Sequence, residues 1–203
     1  MDVKKLYNNK LEEFGENDFR SLNWGDKEGK SARARYLQMS EWYDWSNKTV
    51  FEVGCGWGSF FDFGFKCKRY AGIDINEKLI DIAKKKYQQS PTILFNTSNL
   101  QDTITMYGNP SPKYNLCISS GVAGNRGGPA WSPILLKNYL KNMLTLADKV
   151  LVNFPSNRAT VRTEYVEYFS PEHVLGQALN ITENVQLIHK CKSDFLLVLE
   201  NEK

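Results

Sequence analysis

From Thr49 to Asn201 the chain switches repeatedly between two hydrophobic periods, and this alternation constrains its fold more than any other feature. The runs "TVFEVG", "RYAGIDI", "TILFNT", "YNLCISS" and "VLVNFP" are short and rich in β-branched and aromatic residues. Such runs suit strands covered on both faces. Between them lie stretches with apolar residues three and four positions apart. In "NEKLIDIAKKKYQQ" the stripe is Leu79, Ile80, Ile82 and Ala83, and Asn76 supplies an N-cap. "WSPILLKNYLKNMLTLADK" is a longer helix with Pro133 near its start, and "SPEHVLGQALN" is capped by Ser170 with Pro171 in its first turn. "GSFFDFGF" opens a helix after the first strand. "NVQLIHKC" and "DFLLVLEN" close the chain with only Lys192 and Ser193 between them. That link suits an antiparallel pair, because a parallel pair needs a long crossover. The expected architecture is α/β: a seven-stranded, mostly parallel sheet between helical layers, ending in an antiparallel hairpin.

Residues 1–47 read differently. "KLYNNKLEEF" has helical spacing, "FRSLNWGDKEG" breaks it, and "KSARARYLQMSEWYDW" is a second helix. We expect a helical arm over 1–47 that covers the site, and a main domain over 48–203. The chain is 41% hydrophobic and 13% aromatic, enough for a core without disulfides or metal. Its four cysteines form no C-x-x-C pair, and it has only two histidines, which leaves little to build a metal site. The polar start "MDVKKLYNNKLEEF" has no apolar segment of signal or membrane type. Together with the free cysteines this leads us to expect a cytoplasmic protein. A net charge of +3, with scattered basic residues, does not by itself indicate nucleic-acid binding.

The chemistry concentrates at "FEVGCGWG". Gly54, Gly56 and Gly58 follow a strand and open a helix, where backbone can approach a ligand and adopt positive φ. The spacing is G-x-G-x-G rather than the G-x-G-x-x-G of dinucleotide sites. Glu52 precedes the glycines, and Asp74 ends the next strand, 22 residues after Glu52. A carboxylate there can accept from both hydroxyls of a ribose.

"FEVGCGWG" together with "YAGIDINEKLIDIAKKKY" resembles the class I, Rossmann-like S-adenosylmethionine-dependent methyltransferases. The resemblance spans roughly residues 48 to 200. It implies S-adenosyl-L-methionine as cofactor, with Glu52, Gly54, Cys55, Gly56 and Trp57 at its methionine end and Asp74 on its ribose. Ile75 and Asn76 would lie beside the adenine. "NTSNL" resembles the family's third cofactor turn, which places Asn99 and Leu100 at the adenine and puts Asn where an Asp is usual. "YNLCISSGV" resembles the fourth strand, with Asn115 in place of an Asp and Ser119 at its end. In the arm, the resemblance implies that Arg33 or Arg35, of which Arg35 is preferred, pairs with the cofactor carboxylate and that Tyr36 adds a hydroxyl.

The long glycine-rich loop "SSGVAGNRGGPAW" follows the fourth strand, where an acceptor should meet the methyl group. Asn125 and Arg126 are its polar candidates for catalysis, His173 is a candidate base, and Trp57 and Trp131 are candidate pocket walls. No Asn-Pro-Pro-aromatic motif of DNA amino-methyltransferases follows the fourth strand; "NFPS" follows the fifth instead. The leading expectation is methyl transfer to an oxygen or nitrogen of a small molecule or glycan. An RNA methyltransferase is the second reading, resting on "KEGKSARAR". A non-catalytic protein binding a nucleoside or a partner is the third, resting on Asn99 and Asn115. No metal is expected.

Overall fold

The computed structural model describes residues 2–108, 113–130 and 132–201, so Trp131 lies outside the described residues. The strands are β1 (Thr49–Val53), β2 (Arg69–Asp74), β3 (Ile93–Thr97), β4 (Tyr114–Ser119), β5 (Ala147–Pro155), β6 (Val185–Ile188) and β7 (Asp194–Glu200). They form one sheet in the order β3-β2-β1-β4-β5-β7-β6. Pairing is parallel from β3 to β5, and β7 runs antiparallel to both β5 and β6. The chain first moves outward from β1 to β3, then returns to β4 on the other side of β1. Ligands in such sheets bind beyond the carboxyl ends of the strands at this reversal.

The helices are α1 (Val3–Phe14), α2 (Lys30–Trp42), α3 (Ser59–Asp62), α4 (Glu77–Lys86), α5 (Leu100–Tyr107), α6 (Pro133–Leu146) and α7 (Pro171–Leu179). A short 3-10 turn, Phe19–Leu22, joins the first two. The expected caps are in place. The Asn76 side chain accepts from the Leu79 N–H at 3.2 Å, and the Ser170 hydroxyl accepts from the His173 N–H at 3.2 Å. Alternation along the strands sorts the core into two layers. Phe51, Val53, Cys117, Val150, Val152 and Phe154 pack with α6 and α7 on one face. Val50, Leu116, Ile118 and Leu151 pack on the other with Tyr36 and Met39 of α2 and with Ile80 and Ala83 of α4. No helix among the described residues is long and apolar enough to cross a membrane.

Three elements depart from expectation. The stretch after β1 yields only one turn of helix, α3, because Gly64 turns the chain at φ 80° and releases Phe63 and Phe65 into aromatic contacts with Tyr36. The helix α5 (Leu100–Tyr107) is a further element that the hydrophobic pattern does not mark. Its cap residues Asn99 and Gly108 are present, but its buried positions are only Leu100 and Thr103, too thin a stripe to read. The last hairpin has a five-residue connection, 189–193, since β6 stops at Ile188. Asn115 accepts from the Thr49 N–H at 2.9 Å. It ties the start of β4 to the start of β1, at the opposite end of the sheet from the glycine turn.

The arm is built into this core: Met39 is fully buried against sheet residues. Met39→Ala should lower the free energy of unfolding by about 2–5 kcal/mol, read by urea denaturation, with one cooperative transition kept. An unchanged midpoint would mean that α2 is not part of the cooperative fold.

Candidate cofactor and acceptor site

At the carboxyl ends of β1, β2 and β4 lies a cavity of about 490 Å³, within the usual size of small-molecule sites. Its floor is the turn after β1. Gly54, Gly56 and Gly58 all have positive φ, at 75°, 54° and 80°. The turn also leaves no room for side chains. A Cβ on Gly54 would stand 2.0 Å from a methyl of Val122, and one on Gly56 would stand 3.0 Å from a methyl of Leu22. The loop after β4 and the arm therefore rest directly on the turn.

Asp74 closes the next side. Its carboxylate accepts from the Gly56 N–H at 3.0 Å and the Asn76 N–H at 2.8 Å, and it lines the cavity. Burial raises its carboxyl above the ordinary range, opposed by the backbone donors of Asn76, Gly56 and Ile75. One carboxylate thus holds two turns together and keeps lone pairs toward the cavity. Ile75, Leu100 and Leu79 give an apolar wall beside it. Asn99 caps α5: its carbonyl accepts from the Asp102 N–H at 2.8 Å and its amide donates to the Asp102 carboxylate at 2.7 Å. The second lone pair of that carbonyl is open to a donor.

Glu52 sits behind the turn rather than on the cavity. It is fully buried, and its carboxylate accepts from the Tyr36 hydroxyl at 2.6 Å and from the Tyr70 hydroxyl. Burial pushes its carboxyl up to about 7, with the two tyrosines acting in the opposite direction.

The expected site residues divide. Gly54, Cys55, Gly56, Asp74, Ile75, Asn99, Leu100, Tyr36 and Asn125 line the cavity. Asn76 stands just outside; its amide donates to Asn8 at 3.0 Å and so ties α1 to the Asp74 turn. The Ser119 hydroxyl is turned away, between the Val53 carbonyl at 3.1 Å and the Tyr139 hydroxyl at 2.7 Å. Trp57 is buried against Phe19 and Ala32 of the arm, donating to Asp62 at 3.0 Å. Arg35 is paired with Asp194 at 2.8 Å and stacked on Trp24. Arg126 is more than half exposed beside Glu167, and His173 is exposed on α7. None of these last four lines the cavity.

Several lining residues escaped the sequence reading. Tyr7, Leu22 and Trp24 reach in from the arm, and Gln101, Asn138 and Asn142 from α5 and α6. Asn138 and Asn142 are four apart and so share one face of α6, among the polar residues Lys137, Lys141 and Thr145 that mask them in the sequence. The Asn142 amide donates to Gln101 at 3.0 Å, and the Tyr7 hydroxyl donates to Asn125 at 3.4 Å. Burial pushes the Tyr7 hydroxyl up to about 12, so it stays a donor.

No protein-family model matches the chain, and no curated protein matches it. Solved structures do. Magnesium protoporphyrin IX methyltransferase from Synechocystis PCC 6803, with S-adenosylmethionine bound, aligns over 100% of this chain and 98% of its own at TM-score 0.65 and 14% identity. N-methyltransferase NodS from Bradyrhizobium japonicum WM9, with S-adenosylhomocysteine bound, aligns over 98% and 99% at TM-score 0.66 and 16% identity. Phosphoethanolamine N-methyltransferase 1 from Haemonchus contortus aligns over 98% of this chain and 49% of its own at TM-score 0.67 and 13% identity. The chain has the Rossmann-like fold of the class I methyltransferases.

A group with its carboxyl raised to about 7 in the fold, against an ordinary 4.5, stabilises as the neutral acid. That contribution is complete below about pH 4.5 and is lost as pH rises through about 7. Measured by urea unfolding, the stability of the wild type relative to Glu52→Gln should therefore fall between pH 5 and pH 8, by up to about 3 kcal/mol. A difference that does not change with pH would show that Glu52 titrates in the ordinary range.

Proposed function

We propose that the protein transfers a methyl group from S-adenosyl-L-methionine to an oxygen or nitrogen of a small, uncharged acceptor. One observation carries the reading: the Asp74 carboxylate is fixed by backbone donors at the wall of a cavity floored by the bare glycine turn. That pairing suits a nucleoside joined to a short amino-acid tail. Asp74 takes the ribose hydroxyls, Ile75 and Leu100 hold the adenine, and Asn99 accepts from its amino group. The turn of Gly54 and Gly56 lets backbone meet the methionine end. When bound, the cofactor supplies a methyl group activated by a positive sulfur. The chain aligns it with the acceptor, and alignment alone supplies much of the rate in such displacements.

The cavity supports the acceptor class too. Asp74 is its sole formal charge among the described lining residues, whose other polar members are hydroxyls and carboxamides. A phosphorylated or carboxylated acceptor would enter without a cation to meet it. No His or Glu is among the described lining residues either. The 1–47 arm completes the enclosure through Val3, Tyr7, Leu22, Trp24 and Tyr36.

Titration calorimetry with S-adenosylhomocysteine tests the reading. Binding is expected in the micromolar range, as for ordinary cofactor sites, and Asp74→Ala should weaken it by about tenfold or more, the equivalent of one charge-assisted hydrogen bond. No heat at millimolar ligand would end the proposal.

A further inference from the structure

Beside the cavity, on the face of the sheet covered by α2, lies a group of buried polar atoms that the fold itself does not satisfy. Asn153 of β5 is 1% exposed, and neither its amide nitrogen nor its carbonyl oxygen has a partner among the described residues. Ser120, 6% exposed, has an unpartnered hydroxyl and lines the cavity. Arg35 carries a buried, unpartnered Nε.

The register brings these together. Ser119 pairs with Val152, so Ser120 and Asn153 are the next residues along two adjacent parallel strands. Ser119 is turned toward α6 by Tyr139, and Val152 packs in the same layer. By alternation, Ser120 and Asn153 face the other layer, that of Leu151 and of Tyr36 on α2. Arg35 is anchored over the same edge by Asp194, which stands two residues before Leu196, the β7 partner of Asn153. Its guanidinium stacks 4.6 Å from Trp24, and Trp24 in turn rests on Gly121, where a Cβ would lie 2.9 Å from the indole.

A buried carboxamide with both ends unpaired gives up its hydrogen bonds to water and gains none in return. Native folds carry few such groups, and each calls for an explanation. We propose that Ser120 and Asn153, with the Arg35 Nε–H behind them, form the subsite that holds an uncharged hydroxyl or carboxamide of the methyl acceptor. The chemistry sets the class. Asp194 already neutralises Arg35, and what remains is a mixed set of donors and acceptors with no net charge. Position sets the role. Asp74 and Asn99 mark the nucleoside on the β2 and β3 side of the glycine turn. Ser120 and Asn153 lie on its other side, beyond β4 and β5. This inference rests on the methyltransferase reading.

The test uses the whole chain saturated with S-adenosylhomocysteine and observes the Asn153 side-chain amide by ¹H–¹⁵N NMR. The probes are acetamide and methyl glucoside, with acetate and inorganic phosphate as charged controls. The two neutral probes should shift the Asn153 amide and the charged ones should not. Asn153→Leu should abolish the probe response, keep affinity for S-adenosylhomocysteine within about twofold, and raise the Tm of the ligand-free protein by removing unpaired polar atoms. Three results would overturn the subsite. The first is that S-adenosylhomocysteine alone shifts the Asn153 amide and loses tenfold or more in affinity to Asn153→Leu, which assigns the group to the cofactor. The second is no response to either neutral probe together with a lowered Tm for Asn153→Leu, which makes the group structural. The third is an equal response to acetate or phosphate, which contradicts the class. Failure of the wild type to bind S-adenosylhomocysteine at all would instead remove the underlying methyltransferase reading.

Discussion

The site depends on a carboxylate that does not reach it. Glu52 is buried beneath the glycine turn and receives hydroxyls from Tyr36 of the arm and Tyr70 of β2. Those two bonds join three separate stretches of chain directly under the cavity floor. Through Tyr36 the position of α2 is set, and with it Arg35, Met39 and the aromatic cluster of Phe60, Phe63 and Phe65. An isolated buried carboxylate would be too costly to keep. Hydroxyl donors serve both its protonated and its ionised form, so the joint survives titration of the group.

Above this joint the glycine turn is held from both sides. Val122 fits the bare Cα of Gly54 and Leu22 that of Gly56, while Asp74 grips the turn through its backbone. The turn is thus a contact surface for the arm and the β4 loop as well as a lining of the cavity. Substituting either glycine would collide with those neighbours before any ligand was involved. Asn76 adds a second tie by linking the Asp74 turn to α1. Arm, turn and loop behave as one closure over the cavity.

Much of this was legible in the sequence, for identifiable reasons. The seven strands appear because each is a compact β-branched or aromatic run, and Gly54, Gly56 and Asp74 appear because their spacing is local. What could not be read depended on distance in the chain. Tyr7, Leu22 and Trp24 enter the cavity from the arm, and no periodicity announces a contact across such separations. The partnership of Arg35 with Asp194 spans almost the whole chain, so Arg35 seen alone looked free to meet a ligand. Strand parity explains Glu52: Val53 faces the α6 layer, which turns Glu52 to the α2 layer, behind the cavity rather than onto it. Helix α5 escaped because Thr103 occupies a position where an apolar residue would have drawn the stripe.

The same parity separates two neighbouring serines at the end of β4. Ser119 is spent on Val53 and Tyr139, and Ser120 is open to the cavity. A crystal structure with S-adenosylhomocysteine tests most directly whether this cavity is a cofactor site organised around Asp74. Such a site requires both ribose hydroxyls on the Asp74 carboxylate, adenine between Ile75 and Leu100, and the amino-acid end over Gly54 and Gly56. Ligand density elsewhere, or a ribose that does not touch Asp74, would contradict it.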